Sequence, residues 1–492
     1  MAPTSPPDLA AVLAAAGGLR LADHVRADHD RIVGSLLDWL RIPSVSAQPA
    51  HAGDVAESAR FCAQLLIEAG FDHVTILPTG GGAGAPAVYA DWLHAGPDAP
   101  TALVYGHHDV QPGDPESLWA SPPFEPAIVA VDDGAGGTQL ECRARGAIDD
   151  KGQVLYEIEA VRGLLARDGR LPMNVRFLVE GEEEVGSPHF EHLLVAEAER
   201  LRCDVVVVSD TGMLAADVPS TCVGMRGLVA FDVVLRTATT DLHSGMFGGA
   251  VANPAHLVAR LVADLHDADG RVTLPGFYDR VRPLTEAEQA SLAATPFDEA
   301  AFLATAGVQR TEGEAGRSTL ERIGYRPTAD VVGLQAGYTG AGIKTIVPAE
   351  ATCKVTFRLV ADQDPADVAT AFSSWLAARS PEGVDLTVTA EGAVRPALTP
   401  VDHPAVGALC RVLERVWGKP PLFTREGGSG PEEALGRVLD APVLFLGVGL
   451  PDDRIHAPNE RMVMDQFWRG LLAAGELWHE LAAAVGPGSP SR

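Results

Sequence analysis

At 492 residues the chain exceeds what one ordinary hydrophobic core holds, so two or three domains are expected. Its composition, 46% hydrophobic and 21% charged, is globular, and no apolar run is long enough to span a membrane. A formal net charge of −28 argues against nucleic acid as a partner and for a self-repelling surface.

The first 25 or so residues form an Ala- and Pro-rich lead-in without a basic n-region, so no secretory leader is expected. Cys62, Cys142, Cys203, Cys222, Cys353 and Cys410 lack paired spacing and are expected to be free thiols in a reducing, cytoplasmic compartment. Apolar spacing predicts a helix from Asp28 to Leu40 and a second from Val55 to Ala69, stopped at Gly70. Strands and helices then alternate. Strands are expected at Ala102–Tyr105, Val175–Val179 and Val205–Val208, with a helix over 152–167. Ser187 and Pro188 are expected to cap and open another helix. This alternation with near-continuous apolar strands predicts an α/β domain with a largely parallel sheet.

The texture changes near Val223. Alternating strands at 228–236 and 351–360 flank an amphipathic helix at 255–266, while residues 280–330 read as irregular. After about residue 392 the first texture returns, with a helix at 405–416, a buried strand at 443–448 and a closing helix at 465–483. The reading is one α/β domain in two parts, 1–222 and 393–492, with a second, α+β domain inserted at 223–392.

Four apolar strands end in candidate metal ligands. The first leads to His107, His108 and Asp109, and the second to Glu182, Glu183 and Glu184. The third leads to Asp210 and the fourth to Asp452, Asp453 and His456. In a parallel sheet the carboxyl ends of strands share one edge, so residues far apart in sequence converge there. Adjacent carboxylates at a buried strand end repel one another and call for a cation among them. Two histidines with three or four carboxylates suit zinc, manganese or cobalt, and the inventory is large enough for two ions sharing one carboxylate. A serine-hydrolase elbow at 427–431 fails, because Pro431 stands where Gly-x-Ser-x-Gly needs its last glycine.

In order, the motifs are Gly-His-x-Asp-Val-Gln-Pro (106–112), Arg-Gly-x-x-Asp-Asp-Lys-Gly (145–152) and Glu-Gly-x-Glu-Glu-x-Gly-Ser (180–187). Ser-Asp (209–210), Asp-Leu-His-Ser-Gly (241–245), Arg-Glu-Gly-Gly-Ser (425–429) and a late His456 come after them. The set resembles the M20 family of dinuclear zinc peptidases, and most closely its carnosinase and cytosolic non-specific dipeptidase branch. The resemblance implies that His107 and Asp210 hold one ion, Glu184 and His456 the other, and that Asp149 bridges them. It implies a cis Asp149–Asp150 bond, Asp109 as the carboxylate orienting His107, and Glu183 as general base. His243, from the inserted lid and dimerisation domain of a partner subunit in a homodimer, would stabilise the tetrahedral intermediate and, with His456, contact the substrate. Thr345, Arg358 and Ser429 would hold the free carboxylate of a small peptide. Independently, period two puts Lys354, Thr356 and Arg358 on one strand face and Cys353, Val355, Phe357 and Leu359 on the other. The expected activity is hydrolysis of dipeptides or short peptides. An N-acyl-amino-acid or succinyl-diaminopimelate deacylase is the alternative, and a non-catalytic metal-binding protein a remote one.

Overall fold

The computed structural model describes residues 9, 12, 13, 17–132 and 136–486, so the first part of the expected lead-in lies largely outside the described residues. Its central layer is a six-stranded sheet built from β1 (Thr75–Leu77), β2 (Ala87–Trp92), β3 (Thr101–His107), β4 (Asn174–Glu180) and β5 (Val205–Val208), closed by a late strand, Val443–Phe445. The spatial order is β1, β2, β4, β3, β5 and the late strand. β4, β3, β5 and the late strand run parallel, while β1 and β2 pair antiparallel at one edge. The parallel strands read as unbroken apolar runs because both faces are covered. Ala102, Val104, Val175, Phe177, Val205 and Val207 face a core shared with helices Ala22–Leu40, Ala52–Ala69, Lys151–Asp168 and Met464–Ala484. Leu103, Tyr105, Leu178, Val206 and Val208 face Phe190, Leu194, Leu435 and Leu439 of two short helices on the other side. Each such side chain, taken wholly out of water, contributes about 1.5–3 kcal/mol.

A second sheet is antiparallel and four-stranded: β6 (Gly227–Arg236), β7 (Thr328–Ala336), β8 (Glu350–Leu359) and β9 (Asp385–Val394), in the order β7, β8, β6, β9. Helices Pro254–Asp264 and Pro365–Arg379 cover one face, burying Val258, Leu261, Phe372 and Trp375 against Phe231 and Phe357. The period-two reading of β8 holds: Cys353, Val355, Phe357 and Leu359 are buried, and Lys354, Thr356 and Arg358 are not. The chain is thus an α/β protein with a mostly parallel sheet and an added α+β lid.

Several boundaries differ from expectation, each for a local reason. The first helix starts at Ala22 rather than Asp28, because Val25 already packs in the core. The 280–330 stretch contains helices Glu286–Ala294 and Glu299–Ala306. The former is started by a capping box in which Thr285 and Glu288 satisfy each other's backbone N–H. Ser187 is not a helix cap. It sits in left-handed backbone, φ 52°, and its N–H donates to the Glu182 carbonyl at 2.9 Å, so the helix begins only at Phe190. The late strand stops at Phe445, and past the Leu446 N–H, which still donates to the Val208 carbonyl at 2.9 Å, side chains take up its backbone groups. The Tyr156 hydroxyl donates to the Leu446 carbonyl, and the Val448 N–H donates to Gln153 Oε1 at 3.0 Å.

Candidate active site

Each strand of the parallel set delivers its residues to one edge. β3 ends on His107 itself, β4 ends on Glu180 ahead of a short turn carrying Glu183 and Glu184, and Asp210 lies two residues past β5. Asp149 sits in the turn that starts helix Lys151–Asp168, joined to Asp150 by a cis peptide bond. His456 lies in the loop after the late strand, in left-handed backbone at φ 60°. Few non-glycine residues adopt that conformation.

Two groups form. In the first, donor atoms of His107, Glu183 and Asp210 all lie within 4.8 Å of one another; in the second, those of Asp149, Glu184 and His456 do. Asp149 stands between them. Its Oδ1 is 3.0 Å from His107 Nε2, and its Oδ2 is 2.9 Å from His456 Nε2. His456 Nε2 is also 3.1 Å from Glu184 Oε2, and His107 Nε2 is 3.6 Å from Asp210 Oδ2. The other nitrogen of His107 faces Asp109, 3.0 Å from its carbonyl oxygen and 3.5 Å from Oδ1. The buried Asp109 carboxylate also accepts the N–H of Glu183 at 3.3 Å and of Glu184 at 3.1 Å. It therefore orients both neighbours of the site at once.

Electrostatics mark the same cluster. Burial pushes Asp210 well above the usual carboxylate range, with Asp149 and Glu183 adding to it. Burial, together with Glu184 and Asp149, raises Glu183 to about 7. Hydrogen bonds to Asp149 and Glu184 lift His456 to about 10. Asp149 goes the other way, since bonds from His107 and His456 overcome its burial. Carboxylates that keep protons and imidazoles that gain them are how a crowded buried cluster approaches neutrality by itself. A divalent ion neutralises the same cluster directly, and imidazole plus carboxylate is a suitable donor set.

Not every expected residue joins this cluster. Glu182, though adjacent in sequence, turns away to accept the Ala85 N–H at 2.9 Å and to meet His189 Nδ1 at 2.9 Å. His108 is buried against the Pro86 carbonyl, and burial lowers it to about 4, a structural histidine. Arg358 and Ser429 do meet, the guanidinium Nη1 donating to Oγ at 3.1 Å. His243 and Thr345 lie in the lid, where the Ser244 N–H donates to the Thr345 carbonyl at 3.0 Å. His243 is exposed, and its Nδ1 accepts the Gly245 N–H at 3.0 Å. Among the described residues no hydrogen bond or ion pair joins it to either group.

Three contributors escaped the sequence reading. Gln111 clamps Glu184, donating to it from its backbone N–H at 3.0 Å and from Nε2 at 2.8 Å. Its place in the motif at 106–112 was the available signal. Glu460 accepts backbone N–H groups from the turn around Asp149. Arg226 lies beside Arg358, and burial together with that second guanidinium lowers it to about 10. Among the described residues neither arginine has a carboxylate within 4.0 Å, and Asp330 acts on Arg226 only from farther away.

The sequence profile of peptidase family M20/M25/M40 matches residues 103–480. A Cys-Gly metallodipeptidase of Candida albicans is 27% identical over 475 residues, covering 93% of this chain and 96% of its own length. An M20 family metallo-carboxypeptidase of Sulfolobus solfataricus superposes with a TM-score of 0.76 at 30% identity, over 92% of this chain and 99% of its own. Human carnosine dipeptidase 1 superposes with a TM-score of 0.70 at 26% identity, over 98% and 100%. With the motif order, the shared architecture and the paired donor groups in agreement, the chain belongs to peptidase family M20/M25/M40 and is a metallopeptidase of its dipeptidase branch.

Proposed function

We propose that the protein is a zinc-dependent, homodimeric dipeptidase of the cytoplasm, acting on dipeptides and short peptides with a free C-terminal carboxylate. The observation that carries this reading is Asp149, whose two carboxylate oxygens each face a different donor group. His107 and Asp210 would hold one ion and Glu184 and His456 the other, with Asp149 shared. Bound there, the ions supply Lewis acidity toward the peptide carbonyl and a water acidic enough to react near neutral pH.

The remaining chemistry belongs to the chain. Glu183, whose carboxylate lies beside His107 and Asp210 and next in sequence to Glu184, is placed to take the proton of the attacking water and hand it to the leaving amine. Asp109 keeps His107 turned with Nε2 toward the site, its carbonyl oxygen 3.0 Å from Nδ1 and its carboxylate behind at 3.5 Å. Arg358 and Ser429, with Arg226 alongside, offer a cationic seat for the substrate carboxylate; a guanidinium donates to both its oxygens. Thr345 stands beside His243, at the opposite end of the lid sheet from Arg358, so in this reading it would reach the seat of a partner subunit. His243 accepts at Nδ1, so its neutral ring carries the proton on Nε2, a donor available to a developing oxyanion. Its exposure in the lid fits service to a partner's site. The lid edge strand β7 supports a dimer too, exposing Val332 and Leu334 on a strand with one unpaired side. Six free cysteines agree with a reducing compartment.

The test is hydrolysis of a dipeptide panel beside N-acetyl and N-succinyl amino acids, with zinc, manganese and cobalt each supplied. Preferential turnover of dipeptides with free termini supports the reading. Turnover confined to the acylated amino acids would move the enzyme to the deacylases.

A further inference from the structure

Glu460 is completely buried and lies four residues after His456. Its Oε2 accepts from Arg145 Nη1 at 2.7 Å and from the Gly146 N–H at 3.0 Å. Its Oε1 accepts the N–H groups of Ile148 at 3.0 Å and of Asp149 at 3.2 Å. Its own carbonyl accepts the Ala144 N–H at 3.2 Å. The turn from 145 to 149 belongs to no helix or strand, so its buried N–H groups need acceptors from elsewhere. One side chain, 311 residues away in sequence from Asp149, provides most of them.

The loop that carries Glu460 closes local turns, the Asp453 N–H donating to the Leu450 carbonyl at 3.0 Å and the Ala457 N–H to the Arg454 carbonyl at 2.9 Å, but it too is irregular. Arg454, His456 and Asn459 all adopt left-handed backbone, with φ between 60° and 64°. Outside these two irregular segments, residues 138–143 and 461–463 pair as strands; within them, the Glu460 side chain ties the turn bearing Asp149 to the loop bearing His456. The first donor group is built differently: His107 ends a strand and Asp210 comes just after one, so the central sheet itself sets their separation.

We infer that Glu460 is a positioning residue that fastens the Asp149 turn to the His456 loop and so sets the opening of the second metal position, leaving the first largely to the sheet. The inference rests on the two-ion reading of the site. It assigns Glu460 no contact with metal or substrate.

The test is zinc titration of metal-free protein in competition with a chromophoric chelator, which reads stoichiometry and affinity without turnover. Wild type is expected to bind two Zn²⁺ per chain. Glu460→Gln keeps the shape but turns an NH₂ group toward converging N–H donors. It should bind the second ion roughly 10–100-fold more weakly, the usual cost of losing a group behind a ligand, and the first, which shares only Asp149 with the loosened turn, by clearly less. Glu460→Asp, which keeps the charge on a shorter arm, should fall between and serves as the folded reference if the Gln variant does not fold. Unchanged affinity for both ions in a folded variant overturns the inference. Equal weakening of both, together with a lower Tm of the metal-free protein, overturns it as well, because that is general destabilisation. Fewer than two ions on wild type would instead overturn the two-ion reading, and the inference with it.

Discussion

The metal crevice and the lid solve opposite problems. In the crevice, His107, Asp149, Glu183, Glu184, Asp210 and His456 are packed so closely that each alters the charge state of its neighbours. In the lid, His243 and Thr345 rest on local backbone contacts and face outward. The crevice has its partners within one chain and needs a cation to balance them. The lid groups have no such partners, and the account gives them a second copy of the chain. Under the proposed function, a crevice whose ligands all come from one chain would still depend on a second chain for its oxyanion donor.

The largest expected effect removes the balancing charge. A strong chelator should abolish hydrolysis, and added divalent metal should restore it, as monitored by dipeptide turnover; full activity in verified metal-free protein would end the metal-dependent account. Within the crevice, neighbouring carboxylates should then separate by role. Glu183→Gln should keep bound metal and slow turnover roughly 10²–10⁴-fold, the usual worth of a general base. Glu184→Gln should lose metal instead, which elemental analysis reads. The opposite pattern would exchange the two assignments.

The lid side of the comparison is sharpened by His243→Ala, expected to cost roughly 10²–10³-fold, as for a lost oxyanion donor. Mixing it with Glu183→Gln under subunit exchange makes half the dimers heterodimers, each with one whole site. About a quarter of wild-type activity should then return in a two-fold dimer. A verified heterodimer as inactive as its parents would place His243 outside the reaction or in its own chain's site.

The smallest effect concerns the frame that holds the crevice. Arg31 donates to both oxygens of the buried Glu159, at 2.8 and 2.7 Å, tying helix Ala22–Leu40 to helix Lys151–Asp168. Burial opposes ionisation of Glu159, but Arg31, with His24 and Arg162, wins and holds it at about 2, against an ordinary 4.5. The folded state therefore binds the proton less readily than the unfolded one. The stabilisation is present above about pH 4.5 and is lost as pH falls toward 2. Glu159→Gln should cost roughly 1.5–3 kcal/mol at neutral pH. The difference should fade in acid, as read from denaturant unfolding at several pH values.

Much of this was legible in the sequence because both carriers of information are local. Apolar runs such as Val205–Val208 mark strands buried on both faces, and the residues just past a parallel strand stand at the ligand edge. The distribution of His107, Asp210, Glu184 and His456 over such ends showed where a site would form. The hidden features depend on distant contacts. Nothing in the local pattern around Glu460 shows that it closes the turn at 145–149, and nothing beside Arg226 shows a second guanidinium next to it. The helix expected at Ser187 failed for a local reason, since the acidic turn just before it took the Ser187 N–H first. The helices within 280–330 were missed because their buried sides are narrow, Glu286–Ala294 burying only Glu288 and Ser291.

The central claim is that one crevice holds two ions with Asp149 between them. Anomalous diffraction at the zinc edge from crystals of the metal-loaded, active enzyme tests it most directly. The account predicts two peaks per chain, one at His107 and Asp210 and one at Glu184 and His456, with a carboxylate oxygen of Asp149 directed at each. A single peak, or two peaks that both lie away from Asp149, in a fully active crystal would contradict it.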